Sequence, residues 1–182
     1  MAIDLETTGF DARVDSIVEL AAIHFVGSRV GDVYVTHVNP ERPIPAESTR
    51  VHGITDAMVA GAPLLDEVLG QVEDMCGHFV LAGYGIDFDL AMLAHQQKVR
   101  GRTPLANTAI DCRRLAVVLH PAWKSLGFDE VASQQGIGIL GRHTAEGDAV
   151  AAGELLLTLI PEIRAFGART IGDVVWLQEA IG

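Results

Sequence analysis

The sequence is poor in several features that whole classes of protein depend on. Its 13 lysines and arginines face 24 acids, a net charge of −11, which excludes a broad basic surface that grips duplex nucleic acid. Aromatic residues make up 5%, too few for a long base-stacking platform. Apolar runs stay far below the ~18 residues of a membrane span, and we expect no signal peptide. Cys76 and Cys112 lack metal or redox spacing, so we expect free thiols in the cytoplasm.

The apolar pattern of the 182 residues predicts one α/β domain with a mixed, five-stranded sheet flanked by helices. Three strands should form an antiparallel meander, and parallel strands connected through helices should follow. We expect strands at the start of the chain and at residues 16–25, 30–38, 79–82 and 108–111. We expect helices at residues 64–75, 87–99, 113–119, 128–135 and 144–160, and a short helix after Thr55.

The predicted domain organisation separates residues 1–160 from residues 161–182. Pro161 should close the longest helix, because proline cannot continue the backbone hydrogen bonds. We expect a final helix that either packs on the domain or begins a linker to a further region. Only three residues precede the first acid, which favours a domain taken from a longer protein. The apolar positions of the predicted final helix are Ile171, Val174, Val175, Leu177 and Ile181.

Asp4 and Glu6 interrupt the apolar run at the start of the chain. Side chains two apart in a strand point to the same face, so these carboxylates should lie about 6–7 Å apart. Ile3 and Leu5 should then face the core. Two carboxylates on one buried face repel each other unless a cation lies between them. The alternative is a strand that runs out into a loop, where both acids are solvated.

Two further acids lie near the starts of predicted helices. Asp89 and Asp148 each share a face with apolar residues of their helix. An ionised carboxylate aimed at the sheet is costly unless it is paired or bound to metal. A helix-start aspartate stabilised by the helix dipole is the alternative, and Asp87 better suits a helix cap. His143 lies in a loop just before the helix of Asp148, where a solvated histidine is the alternative.

The four acids and the histidine should meet at one end of the sheet. Four carboxylates with no basic residue among them call for divalent cations, and oxygen-only ligation favours Mg²⁺ or Mn²⁺ over Zn²⁺. Two such ions about 3.5–4 Å apart stabilise the attacking and leaving oxygens in phosphodiester cleavage. A neutral histidine can then take a proton from the attacking water. The residues therefore predict a metal-dependent hydrolase.

Three segments resemble the motifs of the DEDDh (DnaQ-like) 3′–5′ exonucleases, the family that includes the proofreading epsilon subunit of bacterial DNA polymerase III. They are Asp4–Gly9, Phe88–Asp89 and His143–Ala149, and further similar segments are Val51–Thr55 and Asp111–Leu115. The resemblance implies a ribonuclease H-like fold. It also implies hydrolysis at the 3′ end of single-stranded DNA, with release of 5′-mononucleotides by a two-metal mechanism. The implied partners are the single-stranded 3′ end and a polymerase or a fused domain, with no membrane.

The resemblance also implies roles for individual residues. The implied metal ligands are Asp4, Glu6, Asp89 and Asp148, with His143 as the general base. The implied substrate contacts are Thr7, Thr8, Glu47, His52 and Ile54, the last as a wedge against a base. One position departs from the family pattern. Gly85 stands where relatives usually carry asparagine, which removes a hydrogen-bonding amide near the cleft.

The substrate stays open at this point. Small groups of basic residues predict either a modest positive path that leads phosphates to the metals or ordinary solvated helix faces. They are Lys98, Arg100, Arg102, Arg113, Arg114 and Arg142. The same motifs serve exonucleases of DNA and of RNA 3′ ends, because the choice depends on how the cleft treats a 2′-hydroxyl. A module that binds nucleotide without cutting is a third alternative.

Overall fold

The computed structural model describes residues 1–180 and contains a five-stranded mixed sheet. The strands are β1 (Ala2–Thr7), β2 (Ile17–Val26), β3 (Arg29–His37), β4 (Leu81–Gly83) and β5 (Ala109–Asp111). Their order across the sheet is β3-β2-β1-β4-β5. β1 pairs antiparallel with β2, and β2 with β3, whereas β4 runs parallel to β1 and β5 parallel to β4. The predicted α/β fold, a meander followed by parallel strands, is confirmed.

Helices connect and flank these strands. They are α1 (Ala46–His52), α2 (Asp56–Val59), α3 (Leu65–Cys76), α4 (Asp87–Val99), α5 (Cys112–Leu119), α6 (Phe128–Gln134), α7 (Ala145–Ala165) and α8 (Ile171–Glu179). None of these helices has the length and apolar character needed to cross a membrane. α1 was not predicted, because seven residues offer too few apolar positions to show a helical period. Thr55 precedes α2 as expected, but its side chain makes no capping hydrogen bond in the described chain.

The prediction that Pro161 ends the longest helix is wrong, because α7 continues to Ala165. Pro161 lies on the exposed side of the helix, where the carbonyl that it leaves unpaired can be solvated. Ile163 follows two residues later and is 3% exposed, so apolar packing holds the helix together beyond the proline. The boundary expected between residues 160 and 161 therefore falls inside α7.

One face of β1 forms the main core. Ile3 and Leu5 are 2% and 7% exposed and pack in one cluster with Leu69 of α3 and Leu93 of α4. The prediction that they face the core is confirmed. Burial of such side chains contributes about 1.5–3 kcal/mol each, so this packing stabilises β1 at the centre of the sheet.

The other face of β1 lies under α7. Ala2 packs with Ala145 and Ala149 of that helix, and these small side chains let the helix approach the sheet closely. Side chains two apart share one face of a strand, so Asp4 and Glu6 lie on the same face as Ala2. The helix therefore covers the face of β1 that carries the two acids.

A side chain of α8 hydrogen-bonds the backbone of β5, the strand at the edge of the sheet. Gln178 is 7% exposed; its side chain accepts the Asp111 N–H at 2.8 Å and donates to the Ala109 carbonyl at 2.9 Å. Leu177 beside it is buried in a core cluster with residues of α5 and α7. α8 therefore packs against the sheet. The predicted apolar position Ile181 lies outside the described residues.

Gln178→Leu should lower the free energy of unfolding by about 1–3 kcal/mol, because leucine leaves the Asp111 N–H and the Ala109 carbonyl without partners. Urea unfolding followed by circular dichroism measures the change. Gln71→Leu is the matched control, since Gln71 is exposed on α3 and its loss should cost less than about 0.5 kcal/mol. Equal effects of the two substitutions would contradict this role of Gln178.

Candidate active site

The carboxyl end of β1 faces the first turns of α7. Asp4 and Glu6 lie on the strand face under the helix, and Asp148 lies one turn into the helix, 5% exposed. One carboxylate oxygen from each of these residues lies within 4.8 Å of the other two. Thr144 caps the helix, because its Oγ1 accepts the Gly147 N–H at 3.1 Å. The structure therefore brings three of the four predicted acids into one group.

Asp89 lies beside this group. It is 5% exposed on α4, and its Oδ1 accepts the Leu5 N–H from the backbone of β1 at 3.1 Å. Its charge contributes to raising the pKa of Asp4, so the fourth predicted acid shares the same neighbourhood. We call Asp4, Glu6, Asp89 and Asp148 the acid cluster.

Burial is the largest cause of the raised pKa of every member of the acid cluster. It raises the pKa of Glu6 from 4.5 to about 7, with further contributions from Asp148 and Glu19. The pKa of Asp4 rises well above its usual value, because the charges of Asp89, Asp148 and Glu6 add to the effect of burial. Four bare anions are unfavourable here, and the cluster favours protons or cations.

The donor set of the acid cluster fits divalent cations. Carboxylate oxygens are the ligands that Mg²⁺ and Mn²⁺ prefer. Asp148 Oδ1 is buried and has no hydrogen-bond partner among residues 1–180. A buried carboxylate oxygen without a partner is costly, and a cation held between Asp148 and the acids of β1 would compensate it.

The expectation that no basic residue lies among the acids is wrong. The Arg142 guanidinium donates to Asp148 Oδ2, and its Nε donates to Asp129 Oδ1 at 3.0 Å. Its positive charge lowers the pKa of Asp4 and of Glu6, against the larger effect of burial. Spacing along the chain does not show which way a loop side chain turns, so the sequence pattern missed this contact.

Ion pairs neutralise much of the predicted positive path. Arg100 pairs with Asp66 at 2.9 Å and Arg102 with Glu73 at 2.6 Å, both on α3. These four side chains lie at the C-terminal end of α4, whereas Asp89 lies in its first turn. Arg100 and Arg102 therefore do not lead toward the acid cluster, and the alternative of ordinary helix faces describes this group of basic residues better.

Asp87 is not the N-cap of α4 that we expected. Ile86 occupies that position, and the Asp87 carboxylate pairs with Arg114 on α5. The pairing draws the Asp87 side chain, 61% exposed, toward the neighbouring helix and away from the backbone N–H groups that a cap would satisfy.

His143 lies in the loop that leads into α7 and lines the same cleft as the acid cluster. Its φ of 63° lies in the left-handed region, which is uncommon for a residue with a side chain. Thr144 Oγ1 donates to the Gly141 carbonyl at 2.7 Å, and a Cβ on Gly147 would lie 2.2 Å from that carbonyl oxygen. Gly147 therefore permits the close approach that holds the His143 loop against the helix.

The acid cluster opens into a cleft of about 830 Å³, which is within the range of pockets for ligands the size of a nucleotide. Four of the five predicted substrate contacts line it, namely Thr7, Thr8, Glu47 and His52. Glu47 is exposed on α1. Thr7 and Thr8 are buried at the end of β1, directly beside the acids.

Ile54, the fifth predicted contact, does not line the cleft of the described structure. It is 3% exposed and packs with Val18, Ile44 and Val59. A side chain enclosed in this way has no free face for a base, so the predicted wedge role is wrong. The preceding Gly53 has a φ of 75°, and the chain reverses there to bring Ile54 into the core.

His52 ends α1 instead of lying in a loop. Its Nδ1 accepts the Ile54 N–H at 3.0 Å, so the ring proton is assigned to Nε2. Nε2 is buried and approaches the Thr7 carbonyl, but it makes no hydrogen bond of acceptable geometry within residues 1–180. Burial lowers the pKa of His52, which favours a neutral ring with one unsatisfied N–H donor in the cleft wall.

Aromatic and hydroxyl residues of the cleft were missed by sequence reasoning. Phe10 is 90% exposed at the rim, and its ring centroid lies 6.2 Å from that of Phe88. Ser48 Oγ donates to the Thr8 carbonyl at 2.8 Å, which ties α1 to the end of β1. An aromatic residue directly after the Gly9 turn was the available signal for Phe10. Ser48 gave no signal, because α1 itself was not predicted.

Glu19 is a further acid that the sequence reasoning missed. It lies opposite Glu6 in the antiparallel pairing of β1 with β2. Its Oε2 accepts the Ala145 N–H at 2.7 Å. A carboxylate at this position stabilises the positive end of α7 and fixes where the helix begins. The available signal was a single acid inside the apolar run of β2.

The metal-free protein should lose stability through Glu6 as the pH rises from 4.5 to 7. The raised pKa means that folded Glu6 binds its proton more tightly than unfolded Glu6, so this stabilisation is present below pH 4.5 and lost by pH 7. In EDTA at pH 7, Glu6→Gln should therefore resist urea more than the parent. The advantage should shrink at pH 4.5.

Glu73→Gln is the control of opposite sign. Hydrogen bonds from Arg102 lower the pKa of Glu73, so its ionised form stabilises the fold at neutral pH and the substitution should reduce stability there. A Glu6→Gln variant that is less stable than the parent at neutral pH in EDTA would contradict the raised pKa.

A family model for exonucleases of the RNase T type matches residues 1–156. A DNA polymerase III subunit epsilon-like protein of Rhodobacter capsulatus is 41% identical over 177 residues, which cover 94% of this chain and 25% of that protein. A PolC-type DNA polymerase III of Latilactobacillus sakei is 35% identical over 159 residues, which cover 87% of this chain and 11% of that protein.

The fold also has a match among solved structures. Exonuclease X in complex with 5′-overhanging duplex DNA aligns with a TM-score of 0.76 at 22% identity, covering 97% of both chains. The predicted ribonuclease H-like fold is thereby confirmed. The chain spans no more than a quarter of either polymerase relative. Since the family model matches most of its length, the chain belongs to the exonuclease family, among the DnaQ-like exonucleases.

Proposed function

We propose that this exonuclease domain removes nucleotides from the 3′ end of single-stranded DNA and releases 5′-mononucleotides. The observation that carries the proposal is the group of oxygens from Asp4, Glu6 and Asp148, within 4.8 Å of one another, in a nucleotide-sized cleft. The two polymerase III relatives favour DNA as the substrate. They also favour a polymerase as the partner, either as a separate subunit or in the same chain.

The acid cluster would hold two divalent cations, Mg²⁺ or Mn²⁺. Asp4 and Glu6 offer oxygens from β1, Asp148 offers its unpartnered Oδ1 from α7, and Asp89 offers an oxygen from α4. When bound, two such ions stabilise the attacking and leaving oxygens of phosphodiester cleavage. The Leu5 N–H orients Asp89 toward β1. The four ligands therefore come from three packed elements, β1, α4 and α7.

His143 is the general base in this proposal. It lines the cleft, and it immediately precedes Thr144, the N-cap of the helix that carries Asp148, so its position follows that of the acid cluster. Imidazole is the side chain best suited to exchange a proton near neutral pH. His143 would accept the proton of the attacking water and pass it to solvent through the open side of the cleft.

Thr7, Thr8, Glu47 and His52 would contact the terminal nucleotide. The hydroxyl protons of Thr7 and Thr8 are already used, at the Gly9 carbonyl (2.7 Å) and at an Asp15 oxygen (3.0 Å). Thr8 Oγ1 also accepts the Ser16 N–H at 3.0 Å, so the Thr7 oxygen is the better acceptor for the proton of a 3′-hydroxyl. Glu47 adds an exposed acceptor, and the His52 ring lines the cleft wall with its Nε2 buried toward the Thr7 carbonyl.

The test is Mn²⁺-dependent release of 5′-mononucleotides from single-stranded DNA, from RNA of the same sequence and from duplex DNA with a 5′ overhang. We expect release to be fastest from single-stranded DNA. Asp4→Asn should lower the rate about a thousand-fold, because a lost ligand removes several kcal/mol of transition-state stabilisation. Asp32→Asn is the matched control, since the Asp32 side chain is 84% exposed on β3, and it should keep the parent rate.

Equal rates for Asp4→Asn and the parent would contradict catalysis by the acid cluster. Faster release from RNA would make RNA 3′ ends the substrate and leave the chemistry unchanged. Binding of both oligonucleotides with release from neither would support the third alternative, a module that binds nucleotide without cutting.

Gly85 lines the cleft at the position where the resembled family usually carries asparagine. Its φ of 76° lies in the left-handed region, which asparagine adopts more readily than most residues with a side chain. A Cβ at this position would meet no atom within 4 Å. The Gly85 N–H is fixed by Asp111 Oδ1 at 3.0 Å, so the turn should keep its shape when a side chain is added.

Gly85→Asn should therefore fold and cleave more efficiently than the parent. One added hydrogen bond to the nucleotide contributes about 0.5–1.5 kcal/mol, or about two- to ten-fold in kcat/KM. Gly85→Ala is the control, because it adds a Cβ at the same left-handed position without the amide. An asparagine variant no faster than the alanine variant would contradict a role for the missing amide.

A further inference from the structure

The Arg142 guanidinium forms ion pairs with two carboxylates. One guanidinium nitrogen donates to Asp148 Oδ2, inside the acid cluster, where the Asp148 side chain is 7% exposed. Nε donates to Asp129 at 3.0 and 3.2 Å, on the first turn of α6, where the Asp129 side chain is 61% exposed. The Phe128 ring lies under the guanidinium, with its centroid 5.4 Å away. Arg142 therefore has one partner inside the cluster and a second binding position outside it.

Asp148 offers its two oxygens to different cations. Oδ2 is taken by Arg142, whereas Oδ1 is buried without a partner in the described chain. One Asp148 oxygen belongs to the group that fits a divalent ion, so Oδ1 is the oxygen left for that ion. A guanidinium and a divalent cation on the same buried carboxylate repel each other, and little solvent screens them. Each should therefore weaken the binding of the other by the same factor.

We propose that Arg142 is a tethered counter-ion that competes with a divalent cation for Asp148, and that Asp129 is the position to which it withdraws. The inference rests on the proposed metal site. Arg142 is a positioning residue, because it contacts Asp148 and lies 3.2 Å from His143 Nδ1 without itself belonging to the predicted ligands. Its withdrawal would free both the carboxylate and the imidazole that the reaction uses.

Mn²⁺ titration of the full chain, with free Mn²⁺ measured by electron paramagnetic resonance, tests the competition. Arg142→Gln should bind Mn²⁺ about five-fold more tightly than the parent, or more. Asp129→Asn should bind it more weakly, because Arg142 then has Asp148 as its remaining partner. Glu130→Gln is the matched control for charge, since Glu130 is the exposed neighbour of Asp129 and has no ion pair with Arg142 in the described chain.

Thermal unfolding gives a second readout. In EDTA, Arg142→Gln should melt below the parent, because the acid cluster has lost its counter-ion. In saturating Mn²⁺ the difference should disappear. Arg102→Gln, which breaks the Arg102–Glu73 pair on the far side of the sheet, should melt lower by the same amount in both conditions.

Arg142→Gln and Asp129→Asn both break the Arg142–Asp129 ion pair. Competition predicts that they shift the Mn²⁺ affinity in opposite directions. If the pair only held the loop in place, both variants would shift the affinity in the same direction. Mn²⁺ binding by Arg142→Gln that is unchanged or weaker would overturn the inference. The inference would also be overturned if Asp129→Asn bound Mn²⁺ no more weakly than Glu130→Gln does. This second comparison suffices if Arg142→Gln does not fold. Absence of Mn²⁺ binding in the parent would contradict the metal site itself.

Discussion

Repulsion among carboxylates at the end of β1 is the constraint on which the rest of the site depends. The strand puts Asp4 and Glu6 on one face, and α7 lies on that face and brings Asp148 to within 4.8 Å of both. Burial then raises the pKa of each group. Such a group is stable only when positive charge accompanies it. Arg142 supplies part of that charge, and the oxygen donors favour divalent cations for the rest.

The fold positions this cluster through contacts at the start of one helix. The alanines of α7 allow a close approach to β1, and Glu19 accepts the Ala145 N–H and so fixes where the helix begins. Gly147 lets the preceding loop lie against the first turn. The start of the helix therefore positions both Asp148 and His143, and Asp89 is tied to β1 by its bond to the Leu5 N–H. A small shift of α7 would separate the acids.

Patterns local to the chain predicted the strands, most helices and the meeting of the acids, because alternation in a strand and periodicity in a helix decide which face is buried. Contacts between distant segments could not be predicted in this way. Ile54 joins Val18 in a separate core cluster, although its motif resembles a substrate loop. Buried Ile163 carries α7 past a proline. Arg142 turns inward to Asp148, which depends on the three-dimensional path of a short loop.

Anomalous diffraction from crystals soaked in Mn²⁺ is the decisive measurement for the acid cluster, because it locates bound ions independently of activity. We expect two peaks about 4 Å apart, bounded by the oxygens of Asp4, Glu6, Asp89 and Asp148. Peaks only at surface acids, or a cluster that keeps Arg142 on Asp148 and shows no Mn²⁺ beside it at saturating concentration, would contradict this expectation.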